Sequence, residues 1–404
     1  MNKKIIGLMS SLLILTSVSG CNKSSNSSSS VINSMMSSSS SINSDIHISI
    51  SQNIYNDNEI IYENIKYKFN DNKFTVSGYN EGIKNAIIVS SINKYPVIGI
   101  EDLAFNNCDS LENIKIPEGI ITIGESSFFD CDNLLKVVIP EGVTFIGGSA
   151  FQYCDKLSSV QLPSTVETIK TFSFFYCYNL VNVIIPEGVK HIENQAFSDT
   201  ESLKNINLPS TLESIGDYAF RYCDSLSKII IPDNVTSIGI ECFSKCTKLK
   251  EVKLSKSLKE IPYSAFYLCK ELTNIEIPEG VSCIKDYAFK CCENLQKVVL
   301  PNTLTTICNS AFLECKNIEN IILPSGLVTI EFEAFCECVK ITSIVIPESV
   351  TDIGNYVFNY CGDLIIYCES DGSKKGWSRY WNIGVKAIYY AGEWQYVNGV
   401  PTPK

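Results

Sequence analysis

One period governs this chain. Phenylalanine recurs every 23 residues, at 105, 128, 151, 174, 197, 220, 243, 266, 289, 312, 335 and 358, without a miss. Isoleucine does the same from Ile100 through Ile123 and Ile146 to Ile353. Proline recurs at 117, 140, 163, 186, 209, 232, 278, 301, 324 and 347, and Ser255 holds the one slot it misses. Columns of twelve identical residues do not arise from composition. A fixed period in the range of about 20–50 residues signals a stacked array rather than two or three globular domains, which the length of 404 residues would otherwise suggest.

The unit is roughly I-P-x-x-V-x-x-I-G-x-x-A-F-x-x-C-x-x-L-x-x-V-x. In one copy Leu111, Ile114 and Ile116 give L-x-x-I-x-I, and the alternation of the last two predicts a short strand with one buried face. Pro117 removes a backbone donor and ends it. Ile120 and Ile123 follow three apart, and Gly124 is predicted to turn the chain. The spacing of Ser127, Phe128, Cys131 and Leu134 predicts a short helical segment before the next strand. A single copy buries too little apolar surface to offset the entropy of ordering itself, so neighbours must share burial and inter-strand hydrogen bonds. The predicted fold is therefore an α/β solenoid whose equivalent strands stack as a parallel β-sheet. Twelve coils at about 4.8 Å each would span about 55–60 Å.

The unit, with its L-x-x-I-x-I-P strand, its A-F pair and its Cys, resembles the BspA-like leucine-rich repeat family over residues 94–369. The approach segment is similar to that family's entry region at Tyr67-Lys68-Phe69, Phe74 to Tyr79 and Tyr95-Pro96-Val97. The resemblance implies a bacterial surface or secreted protein with a binding surface, in a family some of whose members adhere to host matrix proteins or to other bacteria. It carries over no active site and names no ligand.

An open solenoid end exposes core and strand edge, so both ends need covering. Residues 46–93 alternate apolar and polar around Asn70-Asp71-Asn72 and read as a β-rich N-terminal cap. Residues 370–404 hold Trp377, Trp381 and Trp394, with a strand expected over Val385 to Tyr390, and read as an aromatic C-terminal cap.

The N-terminus gives an address. Lys3 and Lys4 precede an apolar run from Ile5 to Thr16, then small residues and Cys21. This has the form of a secretory signal, too short to span a bilayer as a stable helix. Val18-Ser19-Gly20-Cys21 resembles a bacterial lipobox, which implies cleavage after Gly20 (residues 1–20 being the signal peptide) and lipid on the Cys21 sulfur. Residues 21–45 are then a lipidated cysteine and a Ser-rich linker that behaves as a flexible tether. An exported, lipid-anchored protein of the bacterial cell envelope, exposed at the cell surface, is expected. The net charge of −11 argues against nucleic-acid partners.

Three rows of residues could carry chemistry. Eleven of the 18 cysteines occupy one column, from Cys108 and Cys131 to Cys361, with Thr200 in the gap. Ligands of one ion must converge on it from several directions, whereas this column is a straight row. Thr200 supports a small core filler, so no metal site is expected. Off the column lie Cys242, Cys283, Cys291, Cys308, Cys336 and Cys368. With His47 and His191 the only histidines, neither a His-built zinc site nor a His-dependent triad is expected, and the chain is read as non-enzymatic with no cofactor. A second row of acids follows the prolines at Glu118, Glu141, Glu187, Asp233, Glu279 and Glu348, and reads as a solvated turn.

The outward position of each strand is the most informative row. Six of its eleven residues are apolar, namely Val138, Ile184, Ile230, Val299, Ile322 and Val345, and the last three are consecutive down the ladder. The flanking column, including Asn113, Lys136, Asn205, Lys297 and Asn320, is polar. An apolar centre with a polar rim is the anatomy of a protein interface. The six are the candidate protein-binding residues, with a host matrix or cell-surface protein as the expected ligand. Two other roles stay open: a carbohydrate-capturing module built on the tail aromatics, and a passive envelope spacer.

Overall fold

The computed structural model describes residues 59–404 and the backbone of a two-residue strand at Asp45–Ile46. The leader, Cys21, the Ser-rich stretch and His47 lie outside the described residues.

Each coil carries two strands, and each strand type stacks into its own parallel ladder. The first ladder starts at Asn85–Ile87, runs through Asn113–Lys115, Lys136–Val138, Ser159–Gln161 and Asn182–Ile184 to Asn205–Asn207, and resumes from Lys228–Ile230 to Lys297–Val299. It ends in Ser343–Ile346, Ile365–Cys368 and Ala387–Tyr389. Its register is the sequence period itself, as Lys136↔Ser159 and Asn182↔Asn205 show. The second ladder stacks two-residue strands such as Thr122–Ile123, Phe145–Ile146 and Cys283–Ile284, again in register, with Ile284 opposite Ile307. Sequence periodicity shows the first ladder only. A two-residue strand offers no alternation to read, and its one buried residue is the recurring isoleucine.

No helix occurs among the described residues, so the α/β expectation is corrected to an all-β leucine-rich repeat solenoid. The cause lies in the backbone. In each coil two residues four apart, Ser126 and Asp130 or Tyr218 and Tyr222 for example, sit near φ = +50 to +60°. A left-handed residue every fourth position cannot propagate a right-handed helix. The segment instead forms paired turns whose alternate amides donate along the solenoid axis. Ser126 N–H reaches Gly148 O at 3.0 Å, Phe128 N–H reaches Ala150 O at 2.8 Å, and Asp130 N–H reaches Gln152 O at 2.8 Å. Backbone groups that a helix would satisfy locally are thus satisfied by the next coil, which adds a third line of hydrogen bonds.

Gly124 is held for a reason the sequence does not show. It does not stand at positive φ, and its need is space: a Cβ there would lie 2.4 Å from the Asp102 nitrogen of the preceding coil.

The interior is a stack of like on like. All twelve repeat phenylalanines are buried, and their ring centroids follow one another at 5.1–5.7 Å with planes within 11° of parallel. Parallel planes at that spacing are offset, the arrangement the ring quadrupole favours. Tyr79 stacks on Phe105 at one end and Trp381 packs edge-on against Phe358 at the other. Strands Glu59–Tyr62, Ile65–Asn70 and Lys73–Tyr79 form an antiparallel meander, turned at Glu63-Asn64 and Asp71-Asn72, both pairs at positive φ as tight hairpins require.

Candidate functional site

The first ladder alternates in and out as its period dictates. Val137, Val160, Val183, Ile206 and Ile229 point inward and are buried, while their neighbours in the strand point to solvent. Of the six candidate residues, Val138, Ile184, Ile230, Val299 and Ile322 are exposed, and Ile322 is the most open large apolar side chain at 84%. Val345 is only half-buried, not free. Val138, Ile184 and Ile230 are separated from one another by Gln161 and Asn207. Val299, Ile322 and Val345 are not interrupted.

Around those three the surface becomes concave. The ladder thins at Asn320–Ile322, where one isolated bridge, Lys297↔Asn320, replaces a full strand. A cleft of about 640 Å³ opens there, lined among others by Lys297, Val299, Asn302, Asn320, Ile322 and Pro324. On the far side of Ile322 a second cleft of about 480 Å³ is walled by Val345 and Glu369 and by Tyr396, Val400 and Pro401 of the C-terminal hairpin. Ile322 and Asn320 line both, so Ile322 stands as a ridge between two hollows. Burial, with a contribution from Glu369, pushes the Tyr396 hydroxyl up, so it stays a neutral donor at physiological pH.

The sequence reading of residues 370–404 as an aromatic cap, with a strand over Val385 to Tyr390 and a carbohydrate-capturing role left open, does not include this hairpin. Its strands, Trp394–Val397 and Val400–Pro403, pair antiparallel across Asn398-Gly399, both at positive φ. Asn-Gly between two β-prone runs is a strong short-range hairpin signal and was there to be read. Its exposed Tyr396, Val397 and Val400 add to the apolar surface beside Ile322. The tryptophans are engaged inward. Trp381 is buried, Trp377 donates Nε1–H to Val350 O at 3.2 Å, and Trp394 donates Nε1–H to Cys368 O at 2.9 Å.

The other rows have structural employment. From Cys131 onward each column thiol donates to the phenylalanine carbonyl of the preceding coil, as Cys131 to Phe105 O and Cys154 to Phe128 O, both at 3.1 Å. Burial raises the thiols of Cys108, Cys177, Cys269 and Cys361 clear of ionisation, the last pushed up to about 12. Thr200 makes the local equivalent bond to Phe197 O at 2.8 Å. The acids tie coil to coil. Glu141 accepts from Ser164 N–H at 3.0 Å and Oγ–H at 2.8 Å, and Glu279 accepts from Asn302 N–H at 3.2 Å. On the second ladder His191 Nδ1 lies 2.9 Å from Ser214 Oγ in a shallow cleft of about 500 Å³ with Glu193, Asn194 and Asp217. Those polar side chains form an open hydrogen-bonding strip.

The sequence matches the family profile described as BspA type leucine rich repeat region (6 copies) over residues 68–204, 167–289 and 250–366. A leucine-rich repeat protein from Bacteroides ovatus is similar at 26% identity and a TM-score of 0.62, covering 82% of this chain and 100% of that one. A leucine rich cell surface protein from Faecalibacterium prausnitzii matches at 25% identity over 68% of this chain and 94% of its own, with a TM-score of 0.36. The pneumococcal vaccine antigen PcpA matches at 17% identity over 82% of this chain and 98% of its own, with a TM-score of 0.46. No curated protein matches the sequence. Since the profile spans well over half of its length, and the coil it describes is the coil seen here, the chain belongs to the BspA type leucine-rich repeat family.

Proposed function

We propose that this protein is exported, held at the cell envelope by lipid on Cys21, and binds another protein through the first-ladder face at Val299, Ile322 and Val345. The observation that carries the reading is the 84% exposed Ile322 on an all-β surface, set between two clefts. A soluble fold gains nothing from leaving an isoleucine in water beside further exposed apolar side chains. Contiguous apolar patches of this kind mark contact sites. The rim of Lys297, Asn302, Asn320 and Glu369 supplies hydrogen-bonding groups to fix orientation. The partner is a host matrix or cell-surface protein, by the same resemblance that places the chain in its family.

The test is binding of the full chain to a panel of matrix and cell-surface proteins, with Ile322→Lys compared with Ile184→Lys. A buried lysine without a counter-charge is costly at an interface. Ile322→Lys is expected to weaken binding at least tenfold while Ile184→Lys leaves it unchanged. Equal binding by a folded Ile322→Lys chain rejects this face as the site.

A further inference from the structure

On the opposite ladder three consecutive coils depart from the glycine slot together. The slot after the recurring isoleucine is glycine at Gly124, Gly147, Gly216, Gly239 and Gly354, yet it holds Lys285, Cys308 and Glu331 in succession. Cys308 is 8% exposed, and its Sγ, a carboxylate oxygen of Asp286 and one of Glu331 all lie within 4.8 Å of one another. A second thiol joins them, with Cys283 Sγ 3.5 Å from Cys308 Sγ. These two are off the core column, and Cys283 is partly open to solvent.

We propose that Asp286, Cys308 and Glu331, with Cys283 beside them, bind a thiophilic divalent cation of the zinc class. A tetrahedral ion with metal–sulfur bonds of about 2.3 Å holds its donors roughly 3.3–3.8 Å apart. The sulfur pair already has that separation, and the two carboxylate oxygens, within 4.8 Å of the Cys308 sulfur and of each other, need to close by up to about 1.5 Å. The carboxylates are also oriented from behind. Asn309 N–H donates to Glu331 Oε2 at 3.0 Å and Asn309 Nδ2 donates to Asp286 Oδ2 at 3.3 Å, which leaves each carboxylate its other oxygen. Such outer-sphere hydrogen bonds are how proteins preset metal ligands. Lys285, on the same ladder, is turned to Glu260 at 3.2 Å. Two sulfurs and two carboxylate oxygens suit zinc, cobalt or cadmium, whereas calcium and magnesium take six or more oxygens. The column thiols do not compete, being sealed in the core and hydrogen-bonded to backbone carbonyls.

The reduced, metal-free full chain should be titrated with Cd²⁺, following the ultraviolet thiolate-to-cadmium charge-transfer band. Binding that Zn²⁺ displaces and Ca²⁺ does not is expected. Cys308→Ser and Glu331→Gln should each weaken it at least tenfold, while Cys291→Ser, a thiol outside the cluster, leaves it intact. Glu331 is only half-buried, so its variant keeps the test valid if Cys308→Ser folds poorly. Uptake unchanged in Glu331→Gln would overturn the proposal. So would reduced chain, its Cys283 and Cys308 thiols shown free by mass spectrometry, that takes up no cadmium.

Discussion

The inward and outward columns of the solenoid share one backbone and one period, and they behave in opposite ways. Inside, Phe312 repeats the residue, ring plane and burial of Phe289 before it and Phe335 after it. Outside, the same coils carry Val299, Ile322 and Val345, whereas earlier coils alternate Ile184, Asn207 and Ile230. Within the stack each ring is the packing partner of an identical ring, so a change on one coil is felt on both neighbours. An outward residue has only solvent to satisfy. Uniformity inside therefore reports how the chain folds, and departures outside are where something other than folding is at work.

The sharpest way to break this contrast is to cut both columns at one place. Phe312→Ala, beneath the apolar patch, opens a cavity between two parallel rings and should cost about 3–5 kcal/mol. Ile322→Ala, further along the same coil, should cost less than about 0.5 kcal/mol, since an 84% exposed side chain has little burial to lose. Urea denaturation of both variants measures the difference. A cost at Ile322 approaching that at Phe312 would mean that the patch is part of the core.

Legibility follows the same line. The interior was readable because the Phe and Ile columns are periodic and apolar, and periodic apolar residues have one place to go. The two strands per coil and the paired turns were not. The spacing Ser127, Phe128, Cys131, Leu134 fits a helix, and nothing in Ser126 or Asp130 announces a left-handed backbone. Elsewhere those two slots hold Tyr218 and Tyr222, or Ser264 and Leu268, types that seldom adopt it, so inter-coil hydrogen bonds override local preference. The outward apolar column was legible as a list, but its concavity was not, because the C-terminal hairpin that walls it is distant in sequence. Asp286, Cys308 and Glu331 were legible in principle. Once the register is fixed at 23 residues, Cys308 and Glu331 are neighbours down one column.

Asp199 sits between the two extremes and gives the next largest effect. It is partly buried, in a slot that elsewhere holds Tyr176 and Tyr222. Burial raises its carboxyl to about 6, against the pull of the Ser198 hydroxyl and Arg221 and with a push from Glu201. An unfolded aspartate titrates near 3.9. Between about pH 4 and pH 6 the unfolded chain thus ionises first, and folding carries a penalty that is absent below this window and complete above it. Asp199→Asn keeps an acceptor for Ser198 and removes the charge. It should gain roughly 1–2 kcal/mol at pH 8 relative to its effect at pH 4, the lower part of what a two-unit shift represents because the group is partly exposed. Any gain from asparagine's tolerance of positive φ is the same at both pH values, so the difference between two melting series isolates the charge. A gain independent of pH would place Asp199 with the outward residues, free of burial.

The smallest expected effect is the one the functional reading depends on most. Ile184→Lys and Ile322→Lys put the same charge at the same slot of two coils, and both should change stability by less than about 0.5 kcal/mol. Thermal melting should not distinguish them. If Ile322→Lys alone lowered stability by more than about 1 kcal/mol, Ile322 would be holding the C-terminal hairpin to the ladder, and loss of binding in that variant would report a displaced hairpin. Equal and negligible shifts would leave the two coils differing only in what their surfaces meet: at Ile184 a lone apolar side chain between Gln161 and Asn207, at Ile322 a ridge flanked by clefts on both sides.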